Sequence, residues 1–286
     1  MINNKYFTID VEPDLSTDME SSSSTGASAF ADKDILFDWV PFEIPKGAAR
    51  LLSITTILRG TNGAAQLTES PGTTEDIELF FAKDVRNTAP STLGTQNVAV
   101  ALPGNVPWFN HLCGKVVIDT SEESDGVNLK YVNVINTELG GVNGSAAYTN
   151  SPLVLKGGGI NHSGLTGSSL TTAARGFNPG YDRLYVAAFA LGVFDFNTGV
   201  LINLGAGYGA GASVVLIVDG TDVREVFCVG DAICDASGVR IGIIQAMTHD
   251  GTDGTITLQT LNGGALTDGD ELFHESPIKF ILNFEN

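Results

Sequence analysis

Acidic residues in turn sequences have the residue types of a calcium-binding loop. Residues 250–254 read DGTDG and begin as calcium-binding loops do, with carboxylates on closely spaced residues. Such a loop ends on a bidentate glutamate at its twelfth position, where this chain has Leu261. An Asx turn in a hairpin is therefore the favoured interpretation of Asp250 and Asp253. A weak cation site shared with residues 268–271 is the lesser alternative.

The glycine-rich segments, serines and histidines match no reaction or cofactor motif. Residues 205–211 read GAGYGAG, but the spacing G-x-G-x-x-G is absent and a strand is predicted next, which favours a flexible hinge. No G-x-S-x-G nucleophile elbow is present. The histidines never occur at the i, i+2 or i, i+4 spacing of metal sites: His111, His162, His249 and His274.

Adjacent carboxylates at residues 75–76 and 122–123 lie beside turn residues and are interpreted as solvated. A glycosidase acid pair is defined by spatial approach alone, so this enzymatic alternative stays open. Otherwise we expect no catalytic residue, no cofactor, no metal site and no enzymatic activity.

The three cysteines are too few and too scattered for a disulfide framework. We expect Cys113, Cys228 and Cys234 to be buried free thiols, with a Cys228–Cys234 pair as the lesser alternative. The N-terminus lacks the basic and then apolar pattern of a signal peptide, and no apolar run approaches the roughly twenty residues that cross a bilayer. We therefore expect synthesis in a cytoplasm and no membrane partner.

The charge balance disfavours nucleic acid as a partner. In 286 residues there are 33 acidic and 15 basic side chains, giving a net charge of −18. The basic residues are scattered singly, so no patch is predicted that would attract a phosphate backbone. A basic protein surface would complement this charge, which also favours solubility at high copy number.

Short apolar runs separated by glycine, asparagine and proline turns predict an all-β chain. Residues 49–60 and 278–284 show the alternation of strands with one buried face, and the second run places Ile278, Phe280, Leu282 and Phe284 on that face. Further strands are predicted at residues 35–45, 76–82, 97–101, 114–119, 128–136, 181–194, 199–204 and 213–218.

The order of these runs predicts three parts. Residues 1–34 are serine-rich and acidic and form an extended N-terminal arm, which an edge strand at Tyr6, Phe7 and Ile9 anchors. Residues 35–219 together with 276–286 form a jelly-roll-like β-sandwich. Residues 220–275 alternate apolar runs with glycine–aspartate turns and form a small antiparallel β-barrel inserted before the last strand.

Residues 140–180 are rich in glycine, serine, threonine and asparagine and hold only two charges, Lys156 and Arg175. A structureless loop of this length is uncommon inside a compact domain. Because residues 153–155 and Ile160 are apolar, we favour a loop that contacts a neighbouring copy over a disordered linker.

Two stretches carry a resemblance to a known class of protein. FDWVPFEIPKGAARLLSITTILRG, with ELFFAKD and WFNHLCGKV, resembles uncharacterised virion structural proteins of marine tailed bacteriophages. The segment VGDAI, GVRIGII, TITL and DGDELF is similar to small barrels in phage head and tail components. The resemblance implies a role in the particle rather than a reaction, and it assigns no functional residue.

From this resemblance we expect a capsid decoration or cement protein, located in the virion after synthesis in the host bacterial cytoplasm. Its partners would be the major capsid protein and copies of itself, with a trimer as one candidate assembly. A tail, neck or fibre component is the alternative within the same class. A carbohydrate-binding adhesin that stacks sugars on Trp39, Trp108 or Tyr208 is the alternative outside it, although core packing is the favoured interpretation of the two tryptophans.

Overall fold

The structure is a computed structural model that describes residues 5–15, 30–58, 76–85, 88–99, 108–118, 124–126, 129–135, 153–157, 181–192, 200–202, 207–220 and 222–286. These residues confirm the all-β prediction: they form three antiparallel sheets and two single-turn 3-10 helices, Phe109–His111 and Val223–Glu225, and contain no α-helix. The strands are β1 (Tyr6–Val11), β2 (Ile35–Pro45), β3 (Ala48–Leu58), β4 (Asp76–Lys83), β5 (Leu112–Ile118), β6 (Ser124–Gly126), β7 (Leu129–Ile135), β8 (Leu153–Lys156), β9 (Tyr181–Leu191), β10 (Val200–Leu201), β11 (Val215–Val218), β12 (Ala232–Asp235), β13 (Arg240–His249), β14 (Gly254–Leu258), β15 (Glu271–His274) and β16 (Ile278–Glu285).

Two of the sheets form a β-sandwich. The first has the order β1-β16-β3-β7-β6 with β8 also paired to β3, and the second has the order β2-β9-β4-β5. Their facing side chains meet in one core, where the Phe37 and Phe280 ring centroids are 5.7 Å apart. The alternation predicted for the last strand is confirmed, because its core-facing residues are almost completely buried: Ile278, Phe280, Leu282 and Phe284.

The third sheet is built from the C-terminal part of the chain, in the order β10-β15-β12-β13-β14-β11. The start of β13 pairs with β12 and the rest pairs with β14, with a bulge between Ile244 and Ala246 where strands of this kind bend. This sheet has its own core, which includes Leu216, Phe227 and Ile256. Its order is open, with β10 and β11 at the edges, so the predicted closure into a barrel is not confirmed.

The position of β11 corrects one prediction. Residues 213–218 were expected to be a strand of the sandwich, but Val215–Val218 pairs antiparallel with β14 in the third sheet. Alternation of apolar residues specifies that a strand has a buried face and not which neighbour it pairs with, so the sequence pattern fits either sheet equally. The third sheet therefore begins upstream of the predicted boundary at residue 220.

The joint between the third sheet and the sandwich lies at residues 275–276, between β15 and β16. The Glu275 N–H donates to the Ala232 carbonyl oxygen, and the Glu275 carbonyl oxygen accepts from the Leu15 N–H, both at 2.9 Å. The Ser276 hydroxyl donates to the Pro13 carbonyl oxygen at 2.6 Å. Residues after β1 therefore fasten the third sheet to the sandwich.

Two predicted segments are partly described. The predicted N-terminal edge strand is confirmed, since β1 pairs with β16 along its whole length. Within the loop predicted at residues 140–180, residues 153–156 form β8, which pairs with β3 and buries Leu153 and Leu155. Residue 157 is also described, and the other residues of that loop lie outside the described ranges. Residues 100 and 101 of the strand predicted at 97–101 lie outside them too.

Candidate functional site

A cleft of about 380 Å³ lies at the joint between the third sheet and the sandwich. It brings together residues from the segment after β1, from β13, and from both sides of the β15–β16 connection. The polar walls carry charges of both signs and one histidine: Glu12, Asp231, Arg240, His274, Glu275 and Lys279.

His274 links the floor of the cleft to the loop at residues 226–231. Its Nε2 lies 2.9 Å from the Val226 carbonyl oxygen, and since a carbonyl only accepts, Nε2 carries a proton. Its Nδ1 lies 3.5 Å from Asp231 Oδ2, which also accepts from the Cys228 N–H at 2.7 Å. The imidazole is buried and packs against the Phe227 ring, with the ring centroids 4.6 Å apart and the planes tilted by 59°. Through these contacts His274 holds the loop at residues 226–231 in place.

Glu275 lies in the cleft in an environment that disfavours its charged form. Arg240 Nε lies 3.1 Å from Glu275 Oε2, an ion pair without the alignment of a hydrogen bond, and this buried oxygen accepts no hydrogen bond. Burial raises the pKa of Glu275, the positive charge of Arg240 opposes that rise, and the negative charge of Asp14 adds to it.

Lys279 forms two ion pairs beside the other wall of the cleft. Its ammonium lies 2.7 Å from Asp10 Oδ2 and 2.9 Å from Glu12 Oε1, and these hydrogen bonds raise the lysine pKa. The charged residues that line the cleft are thus three acidic and two basic side chains. Among the described residues no group of three or more His, Cys, Asp or Glu side chains is placed to hold a metal ion.

The two tryptophans lie on the outer side of the second sheet, in a small aromatic cluster. The ring centroids of Trp39 and Trp108 are 6.3 Å apart, and those of Phe80 and Trp108 are 6.2 Å apart. Trp39 Nε1 donates to the Ser91 carbonyl oxygen at 2.9 Å. This cluster is partly buried, whereas the neighbouring Phe109 is 72% exposed.

Tyr208, the third predicted sugar platform, is fixed in the third sheet. Its backbone forms a bridge with Leu266, and its phenol oxygen accepts from the Ile217 N–H at 3.3 Å. Gly211 N–H donates to the Asn262 carbonyl oxygen at 2.7 Å. The hinge predicted for residues 205–211 is therefore wrong for its described part, residues 207–211, because specific hydrogen bonds hold that part to the loop after β14.

The Asx turn predicted at residues 250–254 is confirmed. Asp250 Oδ1 accepts from the N–H groups of Thr252 and Asp253, both at 2.8 Å. In the second acidic turn, Asp270 accepts from Thr267 through the backbone N–H at 2.6 Å and the hydroxyl at 2.7 Å. Both carboxylates thus accept hydrogen bonds within their own turns, which agrees with the interpretation of Asp250 as a turn residue.

The cysteines are all free, but only two of them match the prediction of buried thiols. Cys234 is buried and Cys113 is half-buried, and burial raises their pKa to about 12 and about 11. Cys228 is exposed, which corrects the prediction for that residue. It lies in the turn before β12, where its backbone N–H donates to the Asp231 carboxylate.

Asn262 is the structural residue that sequence reasoning missed. Its side chain makes four hydrogen bonds: Oδ1 accepts from the N–H groups of Ala212 and Ser213, and Nδ2 donates to the carbonyl oxygens of Gly209 and Gly264. It is 1% exposed and joins two loops of the third sheet. The only sequence signal was the dipeptide Asn262-Gly263, which is common in turns.

The chain has no match among protein-family models, curated proteins or solved structures. No helix within the described ranges is long and apolar enough to span a bilayer.

Proposed function

We propose that this chain is a virion structural protein, and that it acts as a capsid decoration or cement protein bound to the major capsid lattice and to copies of itself. The resemblance in residues 37–60 and 229–273 supports this role. So does the acidic composition, which suits a basic protein surface and not a nucleic acid. In this role the protein has no catalytic residue, cofactor or metal.

The observation that carries the proposal is an exposed apolar strand on the third sheet. Val214, Val215 and Ile217 are 39%, 38% and 42% exposed, while the alternate residues Leu216 and Val218 are fully buried. Exposed β-branched residues clustered on one strand suit a protein contact better than solvent. Because the third sheet has its own core, it can present this strand to a partner without changing the sandwich.

Quantitative mass spectrometry of purified virions tests the proposal. On the order of hundreds of copies per particle are expected, because modest contacts repeated on a symmetric shell gain strength by multivalency. A count of a few to a dozen would favour the alternative of a tail, neck or fibre component. Absence from the particle would reject both.

A matched pair of variants tests the binding surface. Ile217→Lys places a charge in the exposed apolar strand, and Val154→Lys places the same charge on β8 of the sandwich, where Val154 is 57% exposed. We expect Ile217→Lys to reduce retention on particles by about tenfold or more and Val154→Lys to bind as wild type does. Equal retention of both variants would show that β11 is not part of the contact.

A carbohydrate-binding adhesin is the second candidate, favoured by the exposed ring of Phe109 beside the Trp39–Trp108 cluster. Binding to a glycan array that is lost in Phe109→Ala and retained in Ile217→Lys would support it over the capsid role.

A further inference from the structure

We propose that two copies of this chain associate by pairing β1 with β1 across a two-fold axis, so that the first sheet continues from one copy into the other. This inference is independent of the virion role. It rests on the outer edge of β1, defined as the backbone groups that Tyr6, Thr8 and Asp10 direct away from β16.

The hydrogen-bond register of β1 places these groups. Asn286 N–H donates to the Lys5 carbonyl oxygen at 2.8 Å, and antiparallel bonds then recur at every second residue. Phe7, Ile9 and Val11 therefore bond to β16. Tyr6, Thr8 and Asp10 lie between them and direct their N–H and C=O groups outward, where no other described residue donates to or accepts from them.

Two other sheet edges, those of β11 and β2, are closed by specific devices. On β11, Ser213 Oγ accepts from the Val215 N–H and donates to its carbonyl oxygen, while the Tyr208 phenol oxygen accepts from the Ile217 N–H. On β2, Pro41 and Pro45 remove N–H groups at the edge. Open strand edges promote association, so the contrast with β1 is informative.

The charges at the two ends of β1 select an antiparallel second copy as the occupant. One end carries Lys5 and Arg50 beside Glu285, a single net positive charge. The other end carries Lys279 between Asp10 and Glu12, a single net negative charge. Charged residues on an edge ordinarily discourage pairing, but antiparallel pairing centred on Thr8 places each positive end beside the partner's negative end.

In the same register, the core-facing side chains of the two copies lie on one side of the continuous sheet and the solvent-facing side chains lie on the other. Pairing centred on Thr8 sets Phe7 opposite Ile9 of the second copy, so the half-buried apolar residues remain on the core side. Tyr6 lies opposite Asp10 of the second copy on the solvent side. About six backbone hydrogen bonds would form, two of them between the Thr8 residues of the two copies.

Thr8→Pro is the discriminating variant, with Thr8→Val as its matched control. Proline removes an N–H that the β1–β16 ladder does not use, and valine keeps the N–H and the branched side chain. In sedimentation velocity over a concentration series we expect a dimer for wild type and Thr8→Val. Thr8→Pro should dimerise at least about tenfold more weakly, because the two central hydrogen bonds are lost. A near-UV circular dichroism spectrum like that of wild type shows that the variant is folded.

Hydrogen exchange on the wild-type protein tests the same contact without a variant. Protection of the Thr8 amide should increase with protein concentration, while that of the Phe7 amide, already bonded to β16, should not change. A wild-type protein that stays monomeric at every concentration overturns the proposal. So does a trimer in which exchange at Thr8 does not depend on concentration, or a folded Thr8→Pro that dimerises as wild type does.

Discussion

The phenol oxygen of Tyr208 lies 3.3 Å from the backbone nitrogen of Ile217 and closes the outer edge of β11. On the same edge Ser213 bonds both backbone groups of Val215. Two side chains from the loop before β11 therefore occupy positions that a further strand would otherwise take. This explains how the strand can display exposed valine and isoleucine side chains to a partner while its backbone remains closed to edge-to-edge pairing.

Removing the Tyr208 hydroxyl should open the β11 edge. We expect Tyr208→Phe to lose about 0.5–1.5 kcal/mol of unfolding free energy, because one hydrogen bond is lost and the ring is kept. The double variant with Ser213→Ala should also self-associate in light scattering. The control is Tyr181→Phe, at an exposed tyrosine in the second sheet. Stability and scattering equal to those of this control would show that the Tyr208 bond is not needed.

The fold was predictable where burial imposes a period of two. The last strand is the clearest case: apolar residues occupy every second position from Ile278 to Phe284, and these four are buried between the sandwich sheets. The partner of β11 was not predictable, because alternation is the same in the sandwich and in the third sheet. Its assignment to the third sheet depends on pairing with residues 254–258, far along the chain.

The cleft was hidden from the sequence for a related reason. It joins Glu12 to Arg240 and His274, and residues this far apart share no spacing that a motif could describe. The turn at Asp250 was predictable, because an Asx turn is made by residues within three positions of each other. Local hydrogen bonds can thus be read from the sequence, and contacts across the joint cannot.

Asn262 should be among the least replaceable residues of the third sheet. Asn262→Ala removes four hydrogen bonds at once, and we expect a loss of about 2–4 kcal/mol in unfolding free energy by denaturant titration. Asn262→Asp keeps the acceptors but sets a carboxylate oxygen against the carbonyl oxygens of Gly209 and Gly264 at a buried site, so at neutral pH it should be at least as destabilising as alanine. A loss below about 1 kcal/mol for Asn262→Ala would contradict this role.

Gly263 has no space for a side chain. A Cβ at this position would lie 2.3 Å from the Arg240 carbonyl oxygen, a backbone atom that cannot move without disturbing β13. We expect Gly263→Ala to lower the unfolding free energy by about 1–3 kcal/mol. The matched control is Gly209→Ala, whose Cβ would meet its nearest neighbour, Ala212 Cβ, at 3.9 Å. Similar thermal midpoints for the two variants would show that the β13 backbone adjusts at little cost.

Glu275 should make the stability of the protein decrease as pH rises. Its folded-state pKa is raised above the ordinary value of 4.5, chiefly by burial, so the folded state binds this proton more tightly than the unfolded state does. The contribution of Glu275 to the unfolding free energy is therefore largest below pH 4.5. It is lost as the pH rises through the folded-state pKa. Glu275→Gln removes the titration, and we expect it to gain stability relative to wild type between about pH 4 and pH 7.

The Arg240→Gln background provides the control for this pH effect. The positive charge of Arg240 opposes the rise in the Glu275 pKa, so its removal should raise that pKa further. The change in unfolding free energy caused by Glu275→Gln at neutral pH should then be larger in the Arg240→Gln background than in the wild-type background. Denaturant titrations of wild type, the two single variants and the double variant across the pH range measure both quantities. A change that does not depend on pH would show that water reaches the Glu275 carboxylate in the folded protein, and that burial is not what controls its charge.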